Sequence, residues 1–313
     1  MSTASYESDY QALIEPHRRD LHAHCYRMLG SVQDAEDALQ EALLRAWKAF
    51  DRFEGRAQPK TWLYRIATNT CLDMLARRKG RRELPIDRGP DEAPLTEIAY
   101  LEPYPDDPDA SYETRESLEL AFIAALQHLP ALQRAVLIER EVLGFSAAET
   151  AASLDTTVAS VNSALQRARR ALDGRLPERS QQETLRTLGD EGLRGLVTGF
   201  VDAWERGDVD AIAALLAEDA TIAMPPAASW YAGRSAVAAF IERWATPAPW
   251  RFLETRAGGQ LAFGTYLYDA AEGRFMPHAI DVITVRGAEV LGIMAFCDPA
   301  LFGRWGLPPH LLR

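Results

Sequence analysis

The stretch Gly144-Phe-Ser-Ala-Ala-Glu-Thr-Ala-Ala-Ser-Leu-Asp-Thr-Thr-Val-Ala-Ser-Val-Asn-Ser-Ala-Leu-Gln-Arg-Ala-Arg-Arg-Ala-Leu172 reads as two helices joined by a tight turn. Ser146 with Glu149 three residues on matches a capping box and starts the first helix. Leu154-Asp155-Thr156-Thr157 is the turn. Val158, Val161, Leu165, Ala168 and Leu172 form one helical apolar stripe, so the spacing predicts a second helix with that side buried. Ser163, Gln166, Arg167 and Arg170 fall opposite, with Ser160 toward one side. This is a helix-turn-helix pattern. Small polar residues early and arginines later suit a helix in the DNA major groove, where arginine grips phosphate or guanine. A helical bundle without a DNA role would share the apolar pattern.

A second basic helix lies upstream, Trp62-Leu-Tyr-Arg-Ile-Ala-Thr-Asn-Thr-Cys-Leu-Asp-Met-Leu-Ala-Arg-Arg-Lys79. Leu63, Ile66, Ala67, Thr70 and Met74 make its apolar stripe, and Arg65 and Asn69 lie off it. Arg77, Arg78 and Lys79 end the helix, where cations also favour the helix dipole. Phe53 and Arg56 sit in the loop before it. Aromatic and polar side chains of this kind hold unstacked bases.

The rest of the chain sets the context. With 313 residues there is room for two or three domains. No apolar run approaches the roughly 18 residues of a membrane span, and the polar start carries no signal-peptide core, so a cytoplasmic protein is expected. A net charge of −11 argues against nonspecific coating of nucleic acid, yet base is concentrated at 77–82 and 167–175. Cys25, Cys71 and Cys297 are far apart and suggest no disulfide framework. In His22-Ala-His24-Cys25, neighbouring side chains diverge by about 100° on a helix, so no metal site is expected there. No cofactor is expected either.

Residues 10–80 read as almost entirely helical, broken at Gly30-Ser31 and again over 51–59. Asp34-Ala-Glu-Asp-Ala-Leu-Gln-Glu-Ala-Leu-Leu-Arg-Ala-Trp47 is a helix with acid in its first turn. Residues 83–112 hold Pro85, Pro90, Pro94, Pro103, Pro105 and Pro108 among many carboxylates, and predict an extended, poorly ordered linker. Helical periodicity returns over 113–176, and 178–190 reads as a second, shorter linker. Amphipathic helices at 193–205 and 209–216 precede β-rich runs at 220–224, 252–256, 260–268, 278–285 and 289–296. Gly258-Gly259 and Arg286-Gly287 look like hairpin turns.

Residues 10–82 resemble region 2 of an extracytoplasmic-function (ECF) sigma factor of bacterial RNA polymerase. The landmarks are Asp34-Ala-Glu-Asp37, Arg45-Ala-Trp47, Trp62-Leu-Tyr-Arg-Ile-Ala-x-Asn69 and Leu72-Asp73. Residues 113–177 resemble sigma region 4. The resemblance covers roughly the first 176 residues and implies core RNA polymerase and promoter DNA as partners. It implies that Asp34, Glu36, Asp37, Gln40, Glu41, Leu44 and Trp47 dock on the clamp helices of the polymerase β′ subunit. It further implies that Phe53, Arg56, Arg65, Asn69, Arg77, Arg78 and Lys79 read and melt the −10 element. Thr157, Ser160, Ser163, Gln166, Arg167 and Arg170 would read the −35 element, with region 4 also meeting the β flap. In the family the intervening linker threads through polymerase.

Beyond residue 191 the chain is similar to SnoaL-like, NTF2-type cone domains, on Phe200–Thr221 and on Trp230-Tyr-Ala-Gly-Arg-Ser-Ala-Val-Ala-Ala-Phe240. One group of sigma factors with such a domain carries an Asp-Gly-Gly-Gly-Lys motif; this chain has only Gly258-Gly259. Relatives of the fold include isomerases, cyclases and epoxide hydrolases that work with a pocket carboxylate. Trp230, Tyr231, Tyr266, His278 and Asp281 are the pocket candidates here, for a small apolar ligand. No complete catalytic constellation is visible, so an enzyme is not expected. Trp250, Phe252, Phe263 and Phe296 read as core or lining.

The expected architecture is therefore multidomain: two all-α sigma domains, a region 2 helical bundle and a region 4 helix-turn-helix, followed by an α+β NTF2-like cone. The boundaries fall at 10–82, 83–112, 113–177, 178–190 and 191–313. The expected function is a sigma factor regulated in cis by its last domain. Two alternatives stand: a ligand-responsive helix-turn-helix regulator acting without polymerase, and a SnoaL-like enzyme fused to a DNA-binding module.

Overall fold

The computed structural model describes residues 3–53, 58–77, 101–106, 112–225, 230–245 and 248–312. The chain divides into two compact units. One comprises residues 1–87 and 121–176, the other 88–120 and 177–313.

In the first unit, α1 (Thr3–Ile14), α2 (Arg18–Leu29), α3 (Val32–Ala49) and α4 (Pro59–Arg77) pack together. Gly30 ends α2 in the left-handed region at φ 75°, and Ser31 caps α3 by accepting the Asp34 backbone N–H. Leu21, Cys25, Met28, Ala35, Leu39, Leu63, Ala67 and Cys71 are buried in this unit; of the expected α4 stripe, Leu63, Ala67 and Thr70 are buried and Ile66 and Met74 half-buried. The short α5 (Tyr112–Glu116) belongs to the second unit. The first unit resumes within α6 (Leu120–Gln127), followed by α7 (Ala131–Leu137). A π-helical turn (Ile138–Val142), α8 (Ala147–Ser153) and α9 (Val158–Leu172) complete it.

The two helical groups of this unit are joined by a buried arginine. Arg134, 5% exposed, donates to the Met28 carbonyl, to Gln127 Oε1 at 2.6 Å, and to the Gln127 and Leu129 carbonyls at 3.1 Å. Removing one partner of such a group leaves a buried charge uncompensated, which is why it ties the groups firmly.

In the second unit, α10 (Gln181–Arg206) leads to α11 (Val209–Leu215), β1 (Leu216–Ala223), β2 (Trp230–Ala232) and α12 (Arg234–Phe240). The chain then forms β3 (Trp250–Ala257), β4 (Gln260–Asp269), β5 (Arg274–Arg286) and β6 (Glu289–Phe296). The sheet order is β2-β1-β6-β5-β4-β3, with β1 parallel to β6 and the other pairs antiparallel. Leu196, Phe200, Trp204, Val237, Trp250, Phe252, Phe263, Ile283 and Ile293 form the core between helices and sheet.

The structure departs from the sequence reading at both linkers. The segment 178–190 is not a free connection: α10 begins at Gln181, capped by Ser180, and bends only where Gly189 takes φ 70°. Within 83–112, residues 101–106 are ordered. Pro105 bridges Ala257, the Gly258 N–H donates to the Tyr104 carbonyl at 2.8 Å, and the Gly259 N–H donates to Asp106 Oδ1 at 2.8 Å. Residues 83–100 and 107–111 of that linker lie outside the described residues.

Candidate polymerase and nucleic-acid interfaces

Helix α3 turns one row of side chains outward. Asp37, Gln40, Glu41 and Leu44 are exposed, and Leu44 is 57% exposed although it is a large apolar residue. An aliphatic side chain set among acids suits docking on another protein. Gln40 donates to Glu36 at 3.1 Å and Arg45 pairs with Glu41 at 2.9 Å and Asp73 at 2.7 Å. Of the three other expected docking residues, Glu36 is half-buried beside the row, and Asp34 and Trp47 stand apart from it. Asp34 is 7% exposed in the first turn, beneath the Ser31 cap. Trp47 is half-buried, its ring edge-on to Tyr6 at 4.9 Å and Tyr10 at 4.8 Å, so it anchors α1.

Helix α4 carries the upstream set. Phe53 lies against Trp62 at 4.6 Å, which fixes the end of the loop. Arg65 and Arg77 are exposed. Arg56, Arg78 and Lys79 lie outside the described residues. Asn69 behaves differently from the expectation. Its amide donates to the Arg65 carbonyl at 2.9 Å and also to the Ser153 carbonyl of α8 at 3.1 Å. In this arrangement a candidate base-reading amide is spent on the helix-turn-helix.

The helix-turn-helix follows its sequence signals closely. Both capping-box bonds form, Ser146 N–H to Glu149 at 2.8 Å and Glu149 N–H to Ser146 at 3.2 Å. The first of these holds the Glu149 carboxyl below its usual range. Asp155 takes φ 49° in the turn, a conformation short polar side chains tolerate. Thr157 caps α9, accepting the Ser160 N–H at 3.1 Å and donating to the Ser160 hydroxyl at 2.9 Å. Val161, Leu165, Ala168 and Leu172 are buried, whereas Val158, expected in the same stripe, is 44% exposed. It is the first residue of α9, at the exposed end of the stripe. Ser163, Gln166, Arg167 and Arg170 are exposed, and so is Asn162, which the sequence reading passed over. Arg169 is held by Glu141 at 2.6 Å. Asparagine is a good adenine reader, and its place among outward polar residues was the available signal.

In the second unit, the β3–β4 turn and the start of α10 grip the segment that leads toward the helix-turn-helix. Glu119 accepts the Gln181 and Gln182 N–H groups at 2.9 and 2.8 Å. Gln260 accepts the Leu120 N–H at 2.7 Å, and Gln182 donates to the Gly259 carbonyl at 2.7 Å. Gly258 and Gly259 both have positive φ, and the space is closed as well. A Cβ on Gly258 would fall on the Leu118 carbonyl, and one on Gly259 would lie 2.5 Å from Gln182 Nε2. Burial raises the Glu119 carboxyl to about 7 against its two N–H bonds.

The five pocket candidates do not converge. Asp281 pairs across the sheet with Phe263 and shares the face of Ile283, so it points to the helix-covered core. It is 7% exposed, Oδ1 has no hydrogen-bond partner, and burial raises its carboxyl to about 7. His278 lies at the β4–β5 irregularity, edge-on to Trp250 at 5.0 Å, and burial lowers its pKa. Tyr231 stacks on Phe240 at 4.6 Å, and Trp230 is 37% exposed on the edge strand. Tyr266 is a correction to the grouping. It lies on the other face of β4 from Phe263, packed on Phe302 and donating to the Pro308 carbonyl at 2.9 Å. Strand alternation separates it from Asp281. Among the described residues, no cluster could hold a metal ion and no helix is long and apolar enough to cross a membrane.

Comparison with known proteins accords with this architecture. Residues 13–81 match sigma-70 region 2, residues 119–172 match sigma-70 region 4, and residues 197–292 match a SnoaL-like domain. The chain therefore has the composition of a two-region sigma factor with an added α+β domain. It is 40% identical to the ECF RNA polymerase sigma factor SigG of Mycobacterium tuberculosis over 97% of this chain and 85% of that protein. It is 33% identical to SigM of the same species over 52% of this chain and 74% of that one. The crystal structure of the Mycobacterium tuberculosis ECF sigma factor SigJ shares its fold, with a TM-score of 0.63 and 24% identity over 96% of this chain and 99% of that chain. This chain belongs to the ECF RNA polymerase sigma factors.

Proposed function

We propose that this sigma factor docks on core polymerase through the outward row of α3 and reads the −10 and −35 elements with α4 and α9. Asp37, Gln40, Glu41 and Leu44 supply the docking row, and Glu36 supports it through Gln40. Arg65 and Arg77 approach the −10 strand, while Asn162, Ser163, Gln166, Arg167 and Arg170 face the −35 duplex. The last domain acts in cis. The observation that carries this part is the grip of Glu119, Leu120 and residues 104–106 by Gln181, Gln182, Gly258, Gly259 and Gln260. Whatever moves that domain pulls on the chain entering region 4.

The test keeps the chain full-length. Glu119→Ala combined with Gln260→Ala should alter promoter-directed run-off transcription with core polymerase severalfold. Unchanged run-off would sink regulation in cis. Asp37→Arg should weaken binding to core polymerase; normal holoenzyme assembly would remove α3 from the docking role.

A further inference from the structure

The first unit contains a buried polar chain that neither DNA reading nor polymerase docking uses. Glu139 is fully buried in the π-helical turn after α7, a widened turn of the kind that often marks a working site. The Thr68 hydroxyl of α4 donates to Glu139 Oε1 at 3.0 Å, and the Ser153 hydroxyl of α8 donates to the same oxygen at 2.8 Å. His24 of α2 lies behind Thr68, with Nε2 2.9 Å from its hydroxyl oxygen. Since Thr68 donates its proton to Glu139, it accepts from His24, which must carry its proton on Nε2. His24 Nδ1 and Glu139 Oε2 have no hydrogen-bond partner. One carboxyl thus joins the helix assigned to the −10 element to the helix-turn-helix, and Asn69 to Ser153 adds a second link at the same place.

We infer that Glu139 is a positioning residue, a proton-linked lock that holds α4 and the helix-turn-helix together off DNA and lets them part when its carboxyl ionises. The inference rests on the assignment of α4 and α9 to separate promoter elements. Those elements are more than two DNA turns of about 34–36 Å apart, a distance that a shared hydrogen-bonded carboxyl cannot span. The groups facing Glu139 are Thr68 on α4, Thr150 and Ser153 on α8, and His24 beyond Thr68 on α2. Burial raises the carboxyl to about 7, and the hydroxyls of Ser153, Thr68 and Thr150 pull it partly back. His24 is lowered to about 3 by burial and by Arg27, so it stays neutral over the relevant range. When the helices part, Glu139 meets water and returns toward about 4.3. The closed form then holds the proton more tightly than the open form. Closing is strongest below the open-state value and is lost as pH rises through about 7.

The test is single-molecule energy transfer in the full chain, with labels at Asp20→Cys and Asp173→Cys in a Cys297→Ser background. The equilibrium constant for closing should fall about tenfold between pH 6 and pH 8, because one pKa unit is a tenfold change. Glu139→Gln, which cannot ionise, should stay closed at both. If wild type and Glu139→Gln respond alike to pH, the lock is overturned. Should Glu139→Gln fail to fold, Thr68→Val decides instead: loss of one hydroxyl must move the wild-type midpoint upward, and an unmoved midpoint overturns the lock. Run-off transcription with core polymerase at both pH values separates the two claims. A titrating distance with pH-indifferent transcription keeps the lock and defeats the promoter assignment beneath it.

Discussion

Helices α4 and α9 are both basic and amphipathic, and the chain treats them in opposite ways. Helix α9 turns Asn162, Ser163, Gln166, Arg167 and Arg170 outward and buries only its apolar stripe. Helix α4 buries its apolar stripe too, but commits polar residues inward: Thr68 to Glu139 and Asn69 to the Ser153 carbonyl. A duplex-reading helix needs only a bare outer face. In α4, proposed above for the −10 strand, Thr68 is held by Glu139 of the π-helical turn and Asn69 by the Ser153 carbonyl of α8.

That contrast can be broken most severely at Arg134. Arg134→Ala should destabilise the first unit by about 3 kcal/mol in urea unfolding, since three carbonyls and Gln127 lose a buried charged donor. A loss under about 1 kcal/mol would mean the α4 and α9 halves are held by other contacts. Arg170→Ala should weaken holoenzyme binding to a −35 site by about 2 kcal/mol if it makes a bidentate contact to guanine. Equal weakening on every sequence would move it to phosphate. Ser146→Ala should cost about 1 kcal/mol by removing a helix cap, seen as a lower melting temperature without a change in −10 strand binding. The smallest effect is expected at Asn69. Asn69→Ala should loosen the off-DNA packing by about 0.5–1 kcal/mol while also lowering −10 strand binding in the holoenzyme. Loss of strand binding without looser packing would show that the Ser153 contact is incidental.

Much of this was legible in the residues. The capping box at Ser146 and Glu149, the break at Gly30 and the stripe from Val161 to Leu172 are all short-range patterns. Each depends on a few residues of one helix, so each appears where the spacing puts it. The same holds for the order of helices and strands in the last domain. What escaped the reading depends on partners far along the chain. Asp34 looked like a surface acid and is covered; Val158 looked like core and is exposed; Tyr266 looked like a companion of Asp281 and faces the other way. A stretch rich in proline and acid looked unstructured, yet residues 101–106 lie along the β3–β4 hairpin, because that hairpin offers backbone groups that need partners.

The sequence by itself determined the class of protein, the two basic helices and the presence of an extra domain, since periodicity, caps and motif residues act locally. Only the tertiary structure decided that Glu139 joins α4 to α8 and that Glu119 is held at the start of α10. Each of these carboxyls is buried and shifted toward neutral pH among neighbours that include groups the chain delivers from 60 or more residues away.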